Sequence, residues 1–573
     1  MSDDTNRASI ESNQYEVVVL GGGLAGLALA LQIKNARPQT TILVIERQQH
    51  PVPEAAHKVG ESTVEISAQY FQNILGLEEH LHKQELRKFG LRFFLPAEHN
   101  QDITRRVEIG LGKPALLPSY QLDRGRFENA LGCEIQQRGI HFLDGCKVER
   151  VDLGEDAHSL HVSRGKHEFD VQARWVVDAS GRSSLLKRQL GLVKKVAHQA
   201  NAVWFRVGQV IDIDTWSDDP DWHGRITNGQ RYLSTVHLCG TGYWVWLIPL
   251  ASQSTSVGIV TDPAIHPFDA MNRFERALEW LNVHEPQCAA AVDRCRGDIQ
   301  DFRIMKNYPY SCQQVYSSDR WCLTGEAGVF TDPLYSPGSD FIAISNGLIT
   351  DLVCREMDGE DIRERAIAYN NTYLNIANSW FNIYEQQYSL LGNARVMVTK
   401  YIWDTAVYWG SFGLLYFHDK IRTLAYNRRL AINSHRLSLL GARIQTFFRE
   451  WADIDQTPLT DAFVDHYNPL TFMHTFQATM VAPLSNTEFD DEFVAHVQLL
   501  ERLAGQIVSK VIADYSTSTH KDVVQDQVQR WKADALLARV MTLAREAATA
   551  EPINTNWVNL AYQPGYEEQE IAS

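Results

Sequence analysis

The sequence predicts an α/β fold in three parts, and three patterns along the chain support this interpretation. The first is an apolar run at Val17–Leu20, typical of a buried parallel strand, with a helix predicted over Leu24–Lys34 and a second strand over Thr41–Ile45. The second is the strand-like segment Gly242–Pro249, and the third is a helical, aromatic-rich stretch from about residue 361. Together they predict a Rossmann-like domain, an inserted, mainly antiparallel β-sheet domain and a helical C-terminal region.

The turn after the first strand carries three glycines in G-x-G-x-x-G spacing. Gly21 makes the tight turn, Gly23 lets the backbone approach a pyrophosphate, and Gly26 lets the helix pack closely on the strand. The helix N-terminus offers free N–H groups to phosphates. Glu46, at the end of the second strand, is placed to accept hydrogen bonds from a ribose hydroxyl, and Arg47 follows it. The unit predicts a dinucleotide site for FAD or NAD.

Composition limits the function and the compartment. The net charge of −16 argues against nucleic-acid partners and against polybasic docking on a membrane. The eight cysteines show neither C-x-x-C nor zinc-ligand spacing, so we interpret them as mostly buried free thiols and expect no metal site. The N-terminus has no signal-peptide pattern, and glycines interrupt the apolar stretch after Tyr15. We therefore expect a cytoplasmic protein without a membrane span.

The same patterns set the expected domain boundaries. We expect a disordered N-terminus at 1–14, the nucleotide domain at 15–200 and 301–360, the β-sheet domain at 201–300 with parts of 86–120, and the helical region at 361–573.

Further segments have the form of cofactor contacts. Asp178 and Gly181 follow a buried strand, and Gly325 and Glu326 follow another, as second contacts to a nucleotide would require. Arg124 begins a predicted helix, where it could pair with surface acids or with cofactor phosphates. The run Gly60-Glu61-Ser62 precedes a helix that Ser62 or Thr63 could cap, or else its backbone faces a bound flavin.

Two other features are ambiguous when taken alone. Lys88, beside Phe89, stands just before a predicted strand, where a lysine is ordinarily solvated. Trp244 and Trp246 project to one face of a strand, as core aromatics also do. In the helical region, Asp404 interrupts the most apolar section, and its aromatics predict a helix–helix core or a substrate pocket.

Over residues 15–420, these motifs resemble a known family. The nucleotide unit with its later Asp-Ala-Ser-Gly and Gly-Glu segments looks like the FAD contacts of the p-hydroxybenzoate-hydroxylase-like flavoprotein fold. Within that fold, Gly60-Glu61-Ser62-Thr63-Val64 and the W-x-W-x-I-P run of Trp244 to Pro249 resemble the flavin-dependent halogenases. The segment Glu85–Phe93 then places Lys88 on the lysine of that family.

The resemblance implies a two-component aromatic halogenase of natural-product biosynthesis. A separate NAD(P)H-dependent reductase would supply reduced FAD, which forms a C4a-hydroperoxide with O2 and yields hypohalous acid with chloride or bromide. Lys88 would present the halogen to a small or carrier-protein-tethered phenol, pyrrole or indole. Trp244, Trp246 and Ser336 would complete the catalytic set, with Ser336 and Gly338 at the halide. The residues implied to contact the cofactor are Gly21, Gly23, Gly26, Glu46, Arg47, Gly60, Glu61, Ser62, Arg124, Asp178, Gly181, Gly325, Glu326 and Gly338.

Two departures from the family pattern leave alternatives open. Pro337 stands in the halide loop and has no N–H to offer, and Tyr335 stands where tryptophan halogenases have a glutamate. The first favours a flavin-dependent aromatic hydroxylase on the same fold, and the second argues against free tryptophan as the substrate. A third interpretation is a non-catalytic flavin-binding accessory protein with an acidic, helical interaction surface.

Overall fold

A computed structural model describes residues 13–55, 58–226, 229–455, 457–516 and 522–547. Its strands are β1 Gln14–Leu20, β2 Ile42–Ile45, β3 Leu86–Arg87, β4 Leu91–Leu95, β5 Val107–Gly110, β6 Tyr120–Gln121, β7 His141–Leu143, β8 Lys147–Asp152, β9 His158–Arg164, β10 His167–Asp178, β11 Val193–Lys194, β12 Asn201–Val207, β13 Thr235–Gly240, β14 Tyr243–Pro249, β15 Thr255–Thr261, β16 Arg303–Met305, β17 Ser311–Cys312, β18 Trp321–Leu323 and β19 Phe463–Asp465.

The helices concentrate after residue 338. They are α1 Leu24–Ala36, α2 Glu65–Gln69, α3 Glu78–Gln84, α4 Arg124–Gln137, α5 Leu185–Gln189, α6 Pro220–Gly224, α7 Phe274–His284, α8 Pro286–Arg294, α9 Gly338–Met357, α10 Arg363–Tyr384, α11 Ala394–Val407, α12 Leu414–Phe417, α13 Arg428–Ala452, α14 Thr471–Val481, α15 Asn486–Ser516, α16 Asp522–Ala533 and α17 Ala535–Glu546. Single π-helical segments, Tyr70–Ile74 and Tyr408–Gly413, follow α2 and α11 directly.

The first sheet carries the nucleotide unit. Its central strands run β7-β2-β1-β10, all parallel, and β18 also pairs with β10 in parallel. Val17, Val18 and Val19 are fully buried, as expected for a parallel strand covered on both faces. The parallel pairing brings the carboxyl ends of β1, β2, β10 and β18 to one edge, where ligands of open α/β sheets bind.

The second sheet has the order β16-β12-β15-β14-β13-β4-β5-β19 and pairs mostly antiparallel. Strands β4 and β5 come from the 86–120 segment. Its two edge strands differ from the prediction, because β16 begins at Arg303 and β19 comes from the region predicted to be helical. Strand β19 pairs with β5 in parallel, which joins the helical region to this sheet.

The helical region continues through the rest of the described chain. After α15 the chain forms two helices, α16 and α17, because Asp534 caps α17 with hydrogen bonds from the Leu536 and Leu537 amides. Within the described ranges, the structure has no helix long and apolar enough to cross a membrane. Gln14 belongs to β1; the rest of the predicted disordered N-terminus up to residue 12, and the tail after residue 547, lie outside the described residues.

Candidate active site

The glycine turn leaves a clear space in front of helix α1. Gly21 has φ of +115°, and a Cβ there would lie 2.4 Å from the Ala179 carbonyl oxygen. A Cβ on Gly26 would lie 2.0 Å from the Gly21 carbonyl oxygen, so this glycine is required for the helix to pack on the turn. Gly23, by contrast, has φ of −87°, and a Cβ added there would have no atom within 4 Å. The chain therefore keeps open the place where a pyrophosphate would approach.

Glu46 and Arg47 lie beside this turn. One Glu46 carboxylate oxygen accepts a hydrogen bond from the Gly22 amide at 2.6 Å and the other from the Gln48 amide at 2.8 Å. A carboxylate has further lone pairs, so Glu46 can still accept a ribose hydroxyl. The Arg47 guanidinium donates to the Ser183 hydroxyl at 3.4 Å, across the sheet edge.

Arg124 pairs with a carboxylate. Of the two roles considered from the sequence, an ion pair with an acid and a contact to cofactor phosphates, only the first is observed. Its guanidinium donates to Glu128 at 2.6 Å and to the Val59 and Gly60 carbonyls at 2.7 and 3.2 Å. Glu128 is fully buried and also accepts the Leu24 amide, at the start of α1, at 3.3 Å. The Nε atom of Arg124 is buried without a hydrogen-bond partner. The phosphate contact predicted for Arg124 stays a prediction.

The segments after β10 and β18 meet at the same edge. Both carboxylate oxygens of Asp178 bond the backbone that follows it: they accept hydrogen bonds from the Ser180 and Leu186 amides at 2.9 and 2.8 Å. Gly181 and Gly325 each have φ of +59°, which favours glycine. Burial raises the pKa of Glu326, and four nearby cations oppose this shift: Arg182, Arg124, Lys187 and Lys58. Four cations thus lie near Glu326 at this edge of the sheet.

Lys88 is buried, with 6% of its surface exposed. It lies between β3 and β4, where its amide donates to the Ser119 carbonyl. Its ammonium nitrogen lies 2.8 Å from the Ser62 hydroxyl and 2.7 Å from the Thr63 carbonyl oxygen. Burial lowers the pKa of Lys88 to about 7, against the opposing fields of Glu65 and Asp340. Burial therefore favours the neutral amine form of this lysine.

Ser62 connects this lysine to the loop before α9. The Ser336 hydroxyl donates to the Ser62 hydroxyl at 2.9 Å, and Ser62 also bonds Thr235 at 2.7 Å. Tyr335 and Ser336 adopt left-handed φ values of 71° and 61°, which form the tight bend. The sequence places Ser62 at the cofactor and Ser336 at the halide; the structure brings both onto the Lys88 side of the site.

The backbone of the predicted halide loop is largely occupied. The Ser336 amide donates to the Pro333 carbonyl at 2.9 Å, and Pro337 has no N–H. Gly338 begins α9, whose first amides have no partner within the helix. The Ser339 hydroxyl beside them is buried and makes no hydrogen bond. The helix start, rather than the bend, is thus the part of this loop with free donors.

A cavity opens next to Lys88, with about 930 Å³ of empty space including the part open to solvent. Its wall combines the loops around β3 and β5 with the helical region. The lining residues are Val64, Glu65, Arg87, Lys88, Phe89, Gly90, Leu91, Leu111, Pro114, Ala115, Leu117, Pro118, Ser119, Tyr335, Trp380, Ile383, Tyr401, Asp404, Thr405, Val407, Tyr408, Trp409, Phe412 and His466. The aromatic-rich helices thus form a pocket as well as a core.

Trp244 and Trp246 lie on one face of β14, with ring centroids 5.7 Å apart. The Trp244 indole donates to the Tyr388 hydroxyl at 3.0 Å, and Trp246 donates to the Ser256 hydroxyl at 3.1 Å. Tyr388 in turn donates to Asp332 at 2.6 Å. Both indoles are therefore held by buried partners in fixed orientations.

The side chain of Glu61 faces this sheet. Its pKa is raised to about 7 by burial, against the field of Arg206 and a hydrogen bond with Ser256. The Glu61 carbonyl accepts the Leu122 amide at 2.6 Å, and the cofactor contact expected for this residue stays a prediction.

Sequence reasoning misses the acidic and imidazole groups of the cavity. It assigns no role to Glu65, and it does not single out His466 or Asp340, which lies just behind the cavity wall. The Tyr408 hydroxyl donates to Asp340 at 2.7 Å, and the Ser67 amide donates to the same carboxylate at 2.9 Å. The one sequence feature that indicates polar groups in this cavity is Asp404, a charged residue within an apolar helix.

Comparisons with known proteins agree with this geometry. A family model described as an FAD binding domain matches residues 14–327, more than half of the chain. A flavin-dependent halogenase of Dictyostelium discoideum, chlA, is 25% identical over 431 residues, 69% of this chain and 70% of that protein. The 1H-pyrrole-2-carbonyl-[peptidyl-carrier protein] chlorinase of Pseudomonas fluorescens is 24% identical over 417 residues, covering 69% and 87%.

Among solved structures, the halogenase PltM in complex with phloroglucinol and FAD has the same fold. The TM-score is 0.62 at 17% identity, and the match covers 95% of this chain and 98% of PltM. The chain belongs to the FAD-binding family and, within it, to the flavin-dependent halogenases.

Proposed function

We propose that the protein chlorinates or brominates an electron-rich aromatic compound, with reduced FAD, O2 and halide as co-reactants. The observation that carries this proposal is the buried amine of Lys88, which faces an aromatic cavity and connects through Ser62 to Ser336. When bound, the reduced flavin supplies the oxidising chemistry that converts halide and O2 into hypohalous acid. The rest of the reaction depends on side chains of this chain.

The sheet edge fits FAD. Gly23 leaves room for the pyrophosphate at the start of α1, where the amides that follow Leu24 could bind it, and Glu46 has free acceptor capacity for the ribose. Arg124 and Arg182 add positive charge near Glu326. These residues would hold the cofactor at the carboxyl ends of the parallel strands.

Lys88 would carry the electrophilic halogen. A neutral amine is nucleophilic, and burial favours the neutral form of this lysine. The Thr63 carbonyl and the Ser62 hydroxyl fix the nitrogen in one position. The amine can therefore take the halogen from hypohalous acid, or hold the acid by a hydrogen bond, and present it to one carbon of a bound ring.

The two indoles would form the wall between flavin and substrate. Their hydrogen bonds to Tyr388 and Ser256 keep Trp244 and Trp246 from turning into the passage. Halide would bind at the start of α9, where the Gly338 amide supplies a donor in place of Pro337 and the Ser336 hydroxyl adds a second when it turns away from Ser62.

The substrate would be a phenol, a pyrrole or an indole, either free or tethered to a carrier protein. The aromatic lining of the cavity favours a flat, uncharged ring. The names of the relatives include a carrier-protein-dependent pyrrole chlorinase, and phloroglucinol occupies PltM. We propose a separate flavin reductase as partner, because the chain has a single complete nucleotide fingerprint.

A flavin-dependent hydroxylase is the second candidate. It is favoured by the halide loop, where Pro337 lacks an N–H and the Ser336 amide is bonded to Pro333. Such an enzyme would transfer oxygen directly and would not need an amine in the cavity.

One experiment separates the two candidates. The protein is incubated with FAD, a flavin reductase, NADH, bromide and a panel of phenols, pyrroles and indoles, and the products are read by mass spectrometry. We expect the paired isotope pattern of bromine in at least one product. Products that gain oxygen alone would instead establish the hydroxylase.

A further inference from the structure

The cavity beside Lys88 holds one carboxylate that the proposed reaction does not yet use. The acidic residues that line it are Glu65 and Asp404. Asp404 is bound on both oxygens, by Lys400 at 2.8 Å and by the Gln445 amide at 2.7 Å. Glu65 is only partly buried, at the first position of α2, and faces the same space as Lys88.

Glu65 has capacity left for a ligand. Burial raises the pKa of Glu65, and hydrogen bonds from its own backbone amide and the Trp409 indole oppose this shift. A carboxylate has about four acceptor positions, so at least one remains for a donor in the cavity. Within the described chain, Lys88 has no carboxylate oxygen within 4.0 Å, since its nitrogen contacts Ser62 and Thr63 instead. Glu65 is thus near the amine without being its direct ion-pair partner.

The remaining ionisable groups on the wall are poorer proton acceptors. Arg87 is exposed at the rim and stays charged. Burial lowers the pKa of His466 to about 4, so its neutral imidazole, whose Nδ1 has no hydrogen-bond partner among the described residues, can accept a hydrogen bond but holds a proton weakly. Asp340 lies behind the wall, where Tyr408 and the Ser67 amide occupy its oxygens.

We infer that Glu65 is a further catalytic residue, which accepts the hydrogen bond of a ring O–H or N–H and takes its proton as the ring is halogenated. This inference rests on the proposed halogenation. The substrate class is then an uncharged aromatic with such a donor on the reacting ring.

Electrons and protons balance in this step. The ring carbon donates an electron pair to the halogen on Lys88, and the carbon–halogen bond forms. The nitrogen–halogen bond breaks, and its electron pair stays on nitrogen. The ring is oxidised and the halogen is reduced from its +1 state. Glu65 receives the O–H or N–H proton. The halogenated ring becomes aromatic again when its C–H proton passes to the Lys88 nitrogen, which restores the amine, and the proton on Glu65 returns to the ring oxygen or nitrogen. The oxidant is the hypohalous acid of the proposed function.

The test compares resorcinol with its dimethyl ether, which is electron-rich but has no O–H. Both are brominated by the wild-type protein and by Glu65→Gln and Glu65→Asp, with FAD, a flavin reductase, NADH and bromide. FAD affinity, thermal unfolding and the yield of hypobromous acid trapped in solution are measured for each protein.

We expect Glu65→Gln to lower kcat for resorcinol by at least about 100-fold, the usual contribution of a positioned acid or base. Its rate on the dimethyl ether should equal that of the wild type, and Glu65→Asp should recover part of the resorcinol rate. Wild-type rates on resorcinol in Glu65→Gln, or equal losses on both compounds, would overturn the inference. If the wild type brominates neither compound nor any member of the panel, the halogenase function itself fails.

Discussion

The two halves of the site are built in opposite ways. The nucleotide edge is made by short local segments whose glycines leave empty space, so its form depends on backbone geometry. The cavity around Lys88 is made by side chains from distant elements that fill and polarise an apolar volume, with α2, β3, α11 and the segment after β19 all contributing. Cofactor binding can therefore be perturbed by a single methyl group at the nucleotide edge. Chemistry in the cavity depends instead on which side chains can titrate.

The glycine turn gives the largest expected effect. Gly26→Ala would place a methyl group 2.0 Å from the Gly21 carbonyl oxygen, inside the contact between α1 and the turn. We expect this variant to lose about 3 kcal/mol or more of unfolding free energy and to yield little folded protein. Thermal unfolding monitored by circular dichroism checks this. Gly441→Ala, in an open position of α13, is the matched control.

Gly23→Ala sharpens the comparison, because the fold tolerates it. The backbone there has an ordinary φ of −87°, and no atom of the described residues lies within 4 Å of the added methyl group. We expect normal unfolding but FAD affinity weakened roughly tenfold to hundredfold, since an overpacked contact costs about 1–3 kcal/mol. Fluorescence titration with FAD measures this. Unchanged affinity would mean that the open space does not receive the pyrophosphate.

The pH profile tests the cavity. With a pKa of about 7, Lys88 is mostly protonated below pH 7 and mostly neutral above it. The neutral amine is the reactive form, so bromination should rise roughly tenfold per pH unit below pH 7 and level off above it. Flavin reoxidation is followed in parallel to remove its own pH dependence. A corrected rate that falls as pH rises would contradict the role of the neutral amine.

The smallest effect on product formation is expected at Trp244 and Trp246, the proposed wall between the nucleotide edge and the cavity. Tyr388→Phe leaves the buried Trp244 indole without its acceptor, while Tyr316→Phe removes a buried hydroxyl bonded to Ser345 elsewhere. We expect the first to lower the fraction of flavin turnover that ends as product by about fivefold, equivalent to roughly 1 kcal/mol. The second should leave that fraction unchanged. Equal effects in both variants would show that the loss reflects stability alone.

The contrast also explains what the sequence could predict. The Gly21–Gly26 turn and Glu46 were predictable because strand, turn, helix and acid follow one another at fixed spacing. The shared face of Trp244 and Trp246 follows from the two-residue repeat of a strand. Both features are local, and the structure shows them in the expected places.

The polar groups of the cavity were not predictable, because their partners are far apart in the chain. Tyr408 holds Asp340 from 68 positions away, and β19 reaches β5 from more than 350. Burial, which changes the protonation of Lys88 and Glu65, is decided by these distant elements. The resemblance of motifs singled out Lys88; only the assembled fold shows what surrounds it.

The most direct test of the central claim is product formation by Lys88 variants. Lys88→Ala, Lys88→Arg and Lys88→Met are assayed for brominated product and, separately, for flavin reoxidation, with Met as the packing control. We expect all three to lose product, since a guanidinium stays charged and a thioether has no amine, while flavin reoxidation continues at the wild-type rate. Brominated product at the wild-type rate from Lys88→Ala would contradict the assignment of this lysine as the group that delivers the halogen.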